Sequence, residues 1–418
     1  MTEIYHWAGS LNCQPEFFEL VDYRSKIFYP DEDVIEGVFN MKKVEEPVNM
    51  SSHGEVAFDE FATSHSKDSQ TGYAEMSSLR ESYKAELVSH GKNSVLVKRD
   101  NIYEDMISLY KRRGISNKDI QILFVNEDAV GDGVTRDAFA SFFQELYDRF
   151  DGENEKIPPI DMDEENLETI GKIITHSLVV SGFYPRKISQ TAIKYHLFDR
   201  KINEELASGF LRYLPWRESS MIESFCKEGD KENVKHIMDI FSECRIYRVP
   251  NKENIRDICA QAGNTCLIKQ PFFVFKSLVK GMGSFWNRVD VQCFDSMLCL
   301  MKPNAEKIIT CMEIEENCSQ DGILTTYLHR FLRSVSENDL AMFLRFTTGS
   351  SYVTEDDIFK VQYFNPVHSY LAPKAATCFK ILMLPRGYSS FSKFRDSFLV
   401  YLSDKGSWIM HDADVSND

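Results

Sequence analysis

The chain predicts an α+β fold that is mainly helical, with a smaller α/β unit of about a hundred residues at its carboxyl end. Three observations predict it. Apolar residues recur at helical spacing through most of residues 95–318. Period-two alternation is confined to short runs, at Asp119–Val125 and Phe359–Tyr363. Near the end, the stretch Pro373–Pro385 holds an apolar run that reads as a short buried strand, bounded by a proline at either end, with Cys378 at its mouth. A thiol so placed is held at a rigid strand edge, where a partner can reach it.

Composition narrows the class. Hydrophobic residues at 43% and charged residues at 27% suit a soluble globular chain large enough for two or three cores. No apolar run reaches the length of a membrane span, and the start, Met1 to His6, lacks the basic and apolar regions of a secretory signal. No membrane association is expected. The net charge of −16 excludes a general phosphate-binding surface, so no nucleic-acid partner is expected. Ten cysteines without a CxxC pair argue against a disulfide framework or a metal site and suit a reducing compartment.

In chain order, residues 1–94 read as an acidic, partly disordered segment, with a mostly disordered linker from Val48 to about Lys92 and a helix near Met76–Leu87. Order is expected from Val95, where Ile102, Met106, Leu109 and Tyr110 keep helical spacing. The strand Asp119–Val125 follows, with Ile120, Ile122 and Phe124 on one face. The acidic, glycine-containing stretch Asn126–Phe139 fails as a calcium loop, because Val130 takes a ligand position and the twelfth residue is Asp137 rather than a bidentate glutamate. Thr135 is expected to cap a helix carrying Phe139, Phe142, Phe143, Leu146 and Phe150. A second helix spans about Asp163–Ser181, stopped by Gly182, with His176 packed in its core face.

Residues 190–315 read as helical. Trp216 and Phe225 are candidates there for exposed contacts, with core packing the favoured reading for both. Gly281-Met282-Gly283 lacks the remainder of a phosphate loop. The turn-rich Asn317–Gly322 is the expected boundary between a unit 95–318 and a unit 319–418. Beyond it come two helices, the second closing at Gly349, then the strand at Phe359 and the Cys378 strand. A last helix is capped by Ser389 or Ser390.

Several of these blocks match a known family. Leu344-Arg345-Phe346-Thr347-Thr348-Gly349-Ser350, then Ala376-Thr377-Cys378-Phe379 with Leu384-Pro385, then Tyr388-Ser389-Ser390, together resemble the C-lobe of a HECT-type ubiquitin ligase. Upstream, Phe124 to Phe139 is similar to that family's N-lobe segment, an acidic glycine-containing loop before an Arg-Asp-x-Phe helix start. The resemblance covers roughly residues 95–410 and is nearest to the divergent HECT domains of G2/M-phase-specific ligases.

It implies a bilobal fold: a mainly helical N-lobe with a small sheet, and an α/β C-lobe carrying the cysteine. It implies a ubiquitin–protein ligase that takes ubiquitin from a conjugating enzyme as a thioester on Cys378 and passes it to a substrate lysine. Thr377 and Phe379 would support the loop and Ser319–Gly322 would be the hinge. The implied partners are ubiquitin, the conjugating enzyme and a protein substrate, with no cofactor and no metal, in the cytoplasm or nucleus. The chain departs from the family at Ala376, where histidine is usual, at Lys380, where asparagine is usual, and at Trp408, the aromatic nearest the end. His368 is a candidate base in the missing histidine's place. Ala376 also motivates a second reading, a catalytically weakened scaffold that binds ubiquitin or a conjugating enzyme. A third, a cysteine hydrolase pairing Cys378 with His368, lacks any orienting group in the sequence.

Overall fold

A computed structural model describes residues 66–403, apart from 128–129, 230–232, 353–357, 367–370 and 378. The first element among the described residues is α1 (Ser66–Ser89). It is a helix of 24 residues where the sequence predicted a mostly disordered linker containing a shorter one. Two apolar anchors, Met76 and Leu87, bury in the core and hold an otherwise polar helix against the distant helix Val291–Leu300. Strands β1 (Lys92–Val97) and β2 (Asp119–Phe124) pair in parallel, in register from Lys92↔Asp119 to Val97↔Phe124. Between them α2 (Ile102–Lys111) makes the crossover that a parallel pair requires. Ile120, Ile122 and Phe124 are buried, as their alternation predicted.

Helix α3 (Asp132–Asp148) begins earlier than expected, with Gly131 rather than Thr135 at its cap position. Asp132 favours the earlier start by placing a carboxylate in the first turn. Thr135 ties the helix to the sheet instead, its Oγ1 accepting the N–H of Ile122 at 3.1 Å. Helix α4 (Glu164–Ser181) follows the sequence closely. The Asp163 carboxylate accepts the N–H of Asn166, and Gly182 closes the helix in the left-handed region. His176 is a core histidine as expected. Its Nδ1 pairs with the Tyr110 hydroxyl at 2.7 Å, its Nε2 with the Lys118 carbonyl at 2.9 Å, and burial lowers its pKa to about 4.

Seven further helices complete this half: α5 (Gln190–Phe198), α6 (Asn203–Tyr213), α7 (Trp216–Glu228), α8 (Val234–Glu243), α9 (Ile255–Gly263), α10 (Phe272–Met282) and α11 (Val291–Leu300). A π-helical turn, Asn264–Lys269, follows α9. Helices α4 and α10 pack backbone to backbone. A β-carbon on Gly171 would strike the Leu278 carbonyl, and one on Gly281 the Glu168 carbonyl. Phe225 is buried, whereas Trp216 is 53% exposed.

The second half contains α12 (Ala305–Thr310), β3 (Met312–Ile314), α13 (Ser319–Ser334), α14 (Glu337–Thr348), β4 (Phe359–Phe364), β5 (Lys374–Ala376), β6 (Ile381–Pro385) and α15 (Phe391–Ser403). The sheet order is β3-β4-β6-β5, with β3, β4 and β6 parallel and β5 antiparallel to β6.

Two apolar clusters form the interior. The first runs from Met76 to Met301 and takes in Tyr352; the second runs from Ile308 to Leu402. The second therefore reaches upstream of Ser319, because β3 pairs with β4 and brings Ile308 and Cys311 with it. Phe331, Phe343, Phe394 and Phe398 are wholly buried there, each worth about 1.5–3 kcal/mol of burial. The described residues are mostly helical with two small sheets, as the fold class required. Among the described residues no helix is long and apolar enough to cross a membrane.

Candidate functional site

The last register pair between β5 and β6 is Ala376↔Ile381, so the connection between the strands is residues 377–380. Cys378 lies in this connection but outside the described residues, as do His368 and Trp408. The described neighbours define its frame. The Phe379 N–H donates to the Ala376 carbonyl at 3.1 Å, and the Lys380 N–H to the Thr377 carbonyl at 3.2 Å. Lys380 has φ 53, a left-handed conformation that a lysine adopts only when its surroundings impose it. They do: its carbonyl accepts the Lys360 N–H of the central strand β4 at 2.9 Å.

Thr377 is buried, at 6% exposure. Phe379 donates its N–H within the turn, and the residue is 78% exposed. Below the turn, Leu382 and Leu384 are fully buried and fix β6 in the core. The approach to β5 is fastened to α15, because the Leu371 carbonyl accepts both the Tyr388 hydroxyl at 2.8 Å and the Ser397 hydroxyl at 3.0 Å. Ser390 caps α15, its Oγ accepting the N–H of Lys393.

The exit of β6 is held by charge. Arg386 makes a two-pronged contact, at 2.7 and 3.0 Å, with the Asp321 carboxylate, which is inaccessible to solvent. Asp321 also accepts the N–H groups of Asn317 and Cys318, and Arg386 with these donors keeps the carboxyl well below the usual carboxylate range. Ser319–Gly322, the break in the sequence pattern, thus begins α13 and is pinned to the sheet.

The other motif blocks meet each other. Asp137, in the first turns of α3, lies between two guanidinium groups. Arg345 of α14 reaches its Oδ1 at 3.0 Å, and Arg99 reaches its Oδ2 at 2.7 Å. Arg345 also donates to the Ser141 hydroxyl at 2.7 Å, and Arg99 makes a double contact with Glu127 at 2.8 and 3.0 Å. Burial alone would raise the pKa of Asp137, but the two arginines prevail and lower it. Just beyond α14, Gly349 has φ 74, and a β-carbon there would come 2.8 Å from the Gly133 carbonyl. Tyr352, 6% exposed, then enters the first cluster. A second bridge runs from Arg186 to Glu337 at the start of α14.

Helix α14 also packs against β5 and β6. It is therefore the element that connects the first cluster to the strands flanking Cys378. Sequence reasoning missed this ion cluster. The available signal was a lone arginine inside an apolar stripe, Leu344-Arg345-Phe346, matched by Asp137 inside another.

Chemically, the frame offers an antiparallel strand pair with β6 buried in the core and the exposed Phe379 in the connection. Among the described residues no three His, Cys, Asp or Glu side chains converge as a metal-binding set. A protein-family model described as HECT-domain (ubiquitin-transferase) matches residues 136–408, more than half of the chain. No curated protein matches the sequence.

Proposed function

Because the chain belongs to the HECT-domain family of ubiquitin transferases, we propose that it is a ubiquitin–protein ligase working through a thioester on Cys378. The observation that supports the reading is the sequence position of Cys378, within the matched residues and between the paired strands β5 and β6, of which β6 buries Leu382 and Leu384. In this reading the lobes correspond to the two apolar clusters, and the carboxyl-terminal lobe includes α12 and β3 as well as residues 319–403.

The Cys378 thiolate attacks the carbonyl carbon of the thioester between ubiquitin and a conjugating enzyme. A new carbon–sulfur bond forms and the conjugating enzyme's thiolate leaves. One thioester replaces another, so the step is nearly balanced in energy and positioning supplies most of the catalysis. A substrate lysine then attacks the same carbon, an amide forms, the amine proton is released and the Cys378 thiolate departs. The exposed Phe379 ring offers apolar contact to whatever segment reaches the thiol.

The test is loading of the full chain from a panel of charged conjugating enzymes. The expected product is a ubiquitin adduct that thiol reductant removes and that Cys378→Ala abolishes. Absence of any such adduct across the panel overturns the reading. Ala376 favours a second reading, in which loading proceeds but transfer to lysine is weak. Ala376→His then raises lysine transfer while leaving loading unchanged; equal effects on both steps reject it.

A further inference from the structure

Four cysteines crowd one part of the helical half: Cys226 in α7, Cys244 at the end of α8, Cys259 in α9 and Cys266 in the π-helical turn. Two of them touch. The sulfur atoms of Cys244 and Cys266 are 2.8 Å apart, and the residues stand 22 positions apart in the chain. No atom lies between them, and a covalent bond requires an approach of less than an ångström.

The backbone holds both ends of this contact in unusual geometry. The Cys244 N–H donates to the Phe241 carbonyl, and the next residue, Arg245, sits at φ 59. Cys266 lies in the π-helical stretch, a kind of turn that concentrates at functional positions. Both side chains are at the edge of the core rather than its centre, at 5% and 9% exposure, whereas Cys259 is fully enclosed.

We propose that Cys244 and Cys266 are an oxidation site, a dithiol that a peroxide converts into an intramolecular disulfide clamping the end of α8 to the π-helical turn. The Cys244 sulfur attacks one peroxide oxygen and the O–O bond breaks. The departing hydroxide takes up the Cys244 proton as water, leaving a sulfenic acid. The Cys266 sulfur then attacks the Cys244 sulfur and expels the oxygen as a second water, carrying away the Cys266 proton. Two thiols lose two electrons and one peroxide gains them.

The order of attack follows from the contact. The hydrogen bond from Cys266 lowers the pKa of Cys244, and the same bond raises that of Cys266. Burial pushes the Cys259 thiol up and leaves it unreactive. The closed loop contains the segment that exposes Tyr247 and Val249, so oxidation rigidifies an apolar surface patch.

The experiment needs no ubiquitin, so its outcome is independent of Cys378. The full chain is treated with hydrogen peroxide, alkylated, digested without reduction and mapped by mass spectrometry. The expected product is a peptide linking Cys244 to Cys266, released by reductant. Amide exchange across residues 241–268 slows by roughly tenfold or more in the oxidised protein. In Cys266→Ser the Cys244 sulfenic acid accumulates and is trapped by dimedone. The proposal is overturned if Cys244 and Cys266 both stay alkylatable while the exposed Cys299 and Cys318 oxidise, or if either cysteine links to a different partner.

Discussion

Asp137→Asn weakens the contact between α3 and α14 without changing side-chain volume. The substitution keeps the volume and removes one charge from a set in which two guanidinium groups face two carboxylates. It also turns an amide NH2 toward a guanidinium donor, so at least one contact becomes donor against donor. Arg99 retains Glu127, whereas Arg345, with 13% of its side chain exposed, loses its carboxylate. Arg345 keeps the Ser141 hydroxyl and Arg99 keeps Glu127, so the loss is that of charge-assisted hydrogen bonds, about 2–3 kcal/mol. Arg345→Met, which leaves Asp137 with Arg99, is expected to cost about 2 kcal/mol. Since the two substitutions remove the same contact, the double variant falls short of their sum by about 1–2 kcal/mol.

The assay is urea unfolding followed by fluorescence of Trp286, which is buried in the first cluster. Acid adds a second signature. The pKa of Asp137 is lower in the folded chain than in the unfolded one, so its stabilisation is present above about pH 4 and is lost as pH falls through the lowered folded value. Asp137→Asn should lack that acid limb. A cost below about 0.5 kcal/mol, or strict additivity of the pair, refutes the argument.

Three further expectations follow from packing and titration. Gly349→Ala forces a β-carbon against the Gly133 carbonyl at positive φ and should cost about 1–3 kcal/mol, read as a lower urea midpoint; an unchanged midpoint rejects the close approach. Gly171→Ala must part α4 from α10, and is expected to lower the melting temperature more than Gly349→Ala. His176 binds a proton in the unfolded chain below about pH 6.5 but resists it when folded until about pH 4, so stability falls as pH drops across that window, by about 3 kcal/mol in all. His176→Gln should flatten this slope, measured as urea midpoints at pH 7 and pH 5.

What was legible in the sequence was local. Asp163 and Gly182 announce the ends of α4 through their own capping chemistry, and the alternation of Phe359 and Val361 is a property of adjacent residues. The Cys378 strand was legible because its apolar run is bounded on both sides. What was hidden depends on distance along the chain. Asp137 and Arg345 are 208 residues apart, and neither carries a local sign of the other. Strands β3 and β5 have three residues each, too few for any period to register, so the upstream reach of the second cluster was invisible. Only the Met76–Leu87 part of α1 was legible, because polar residues dilute the pattern over the rest of it.

The dependence of the first cluster on its earliest elements bears on how this protein can be cut into pieces. The family match starts at Arg136, inside α3. A fragment beginning there would split that helix and discard α1, both strands of the first sheet and Arg99. Met76, Leu87, Met106, Tyr110, Ile122 and Phe124 would leave the interior together. Asp137 would keep Arg345 but lose its other cation. A piece that keeps this cluster whole must therefore include α1, well ahead of the boundary that family similarity draws.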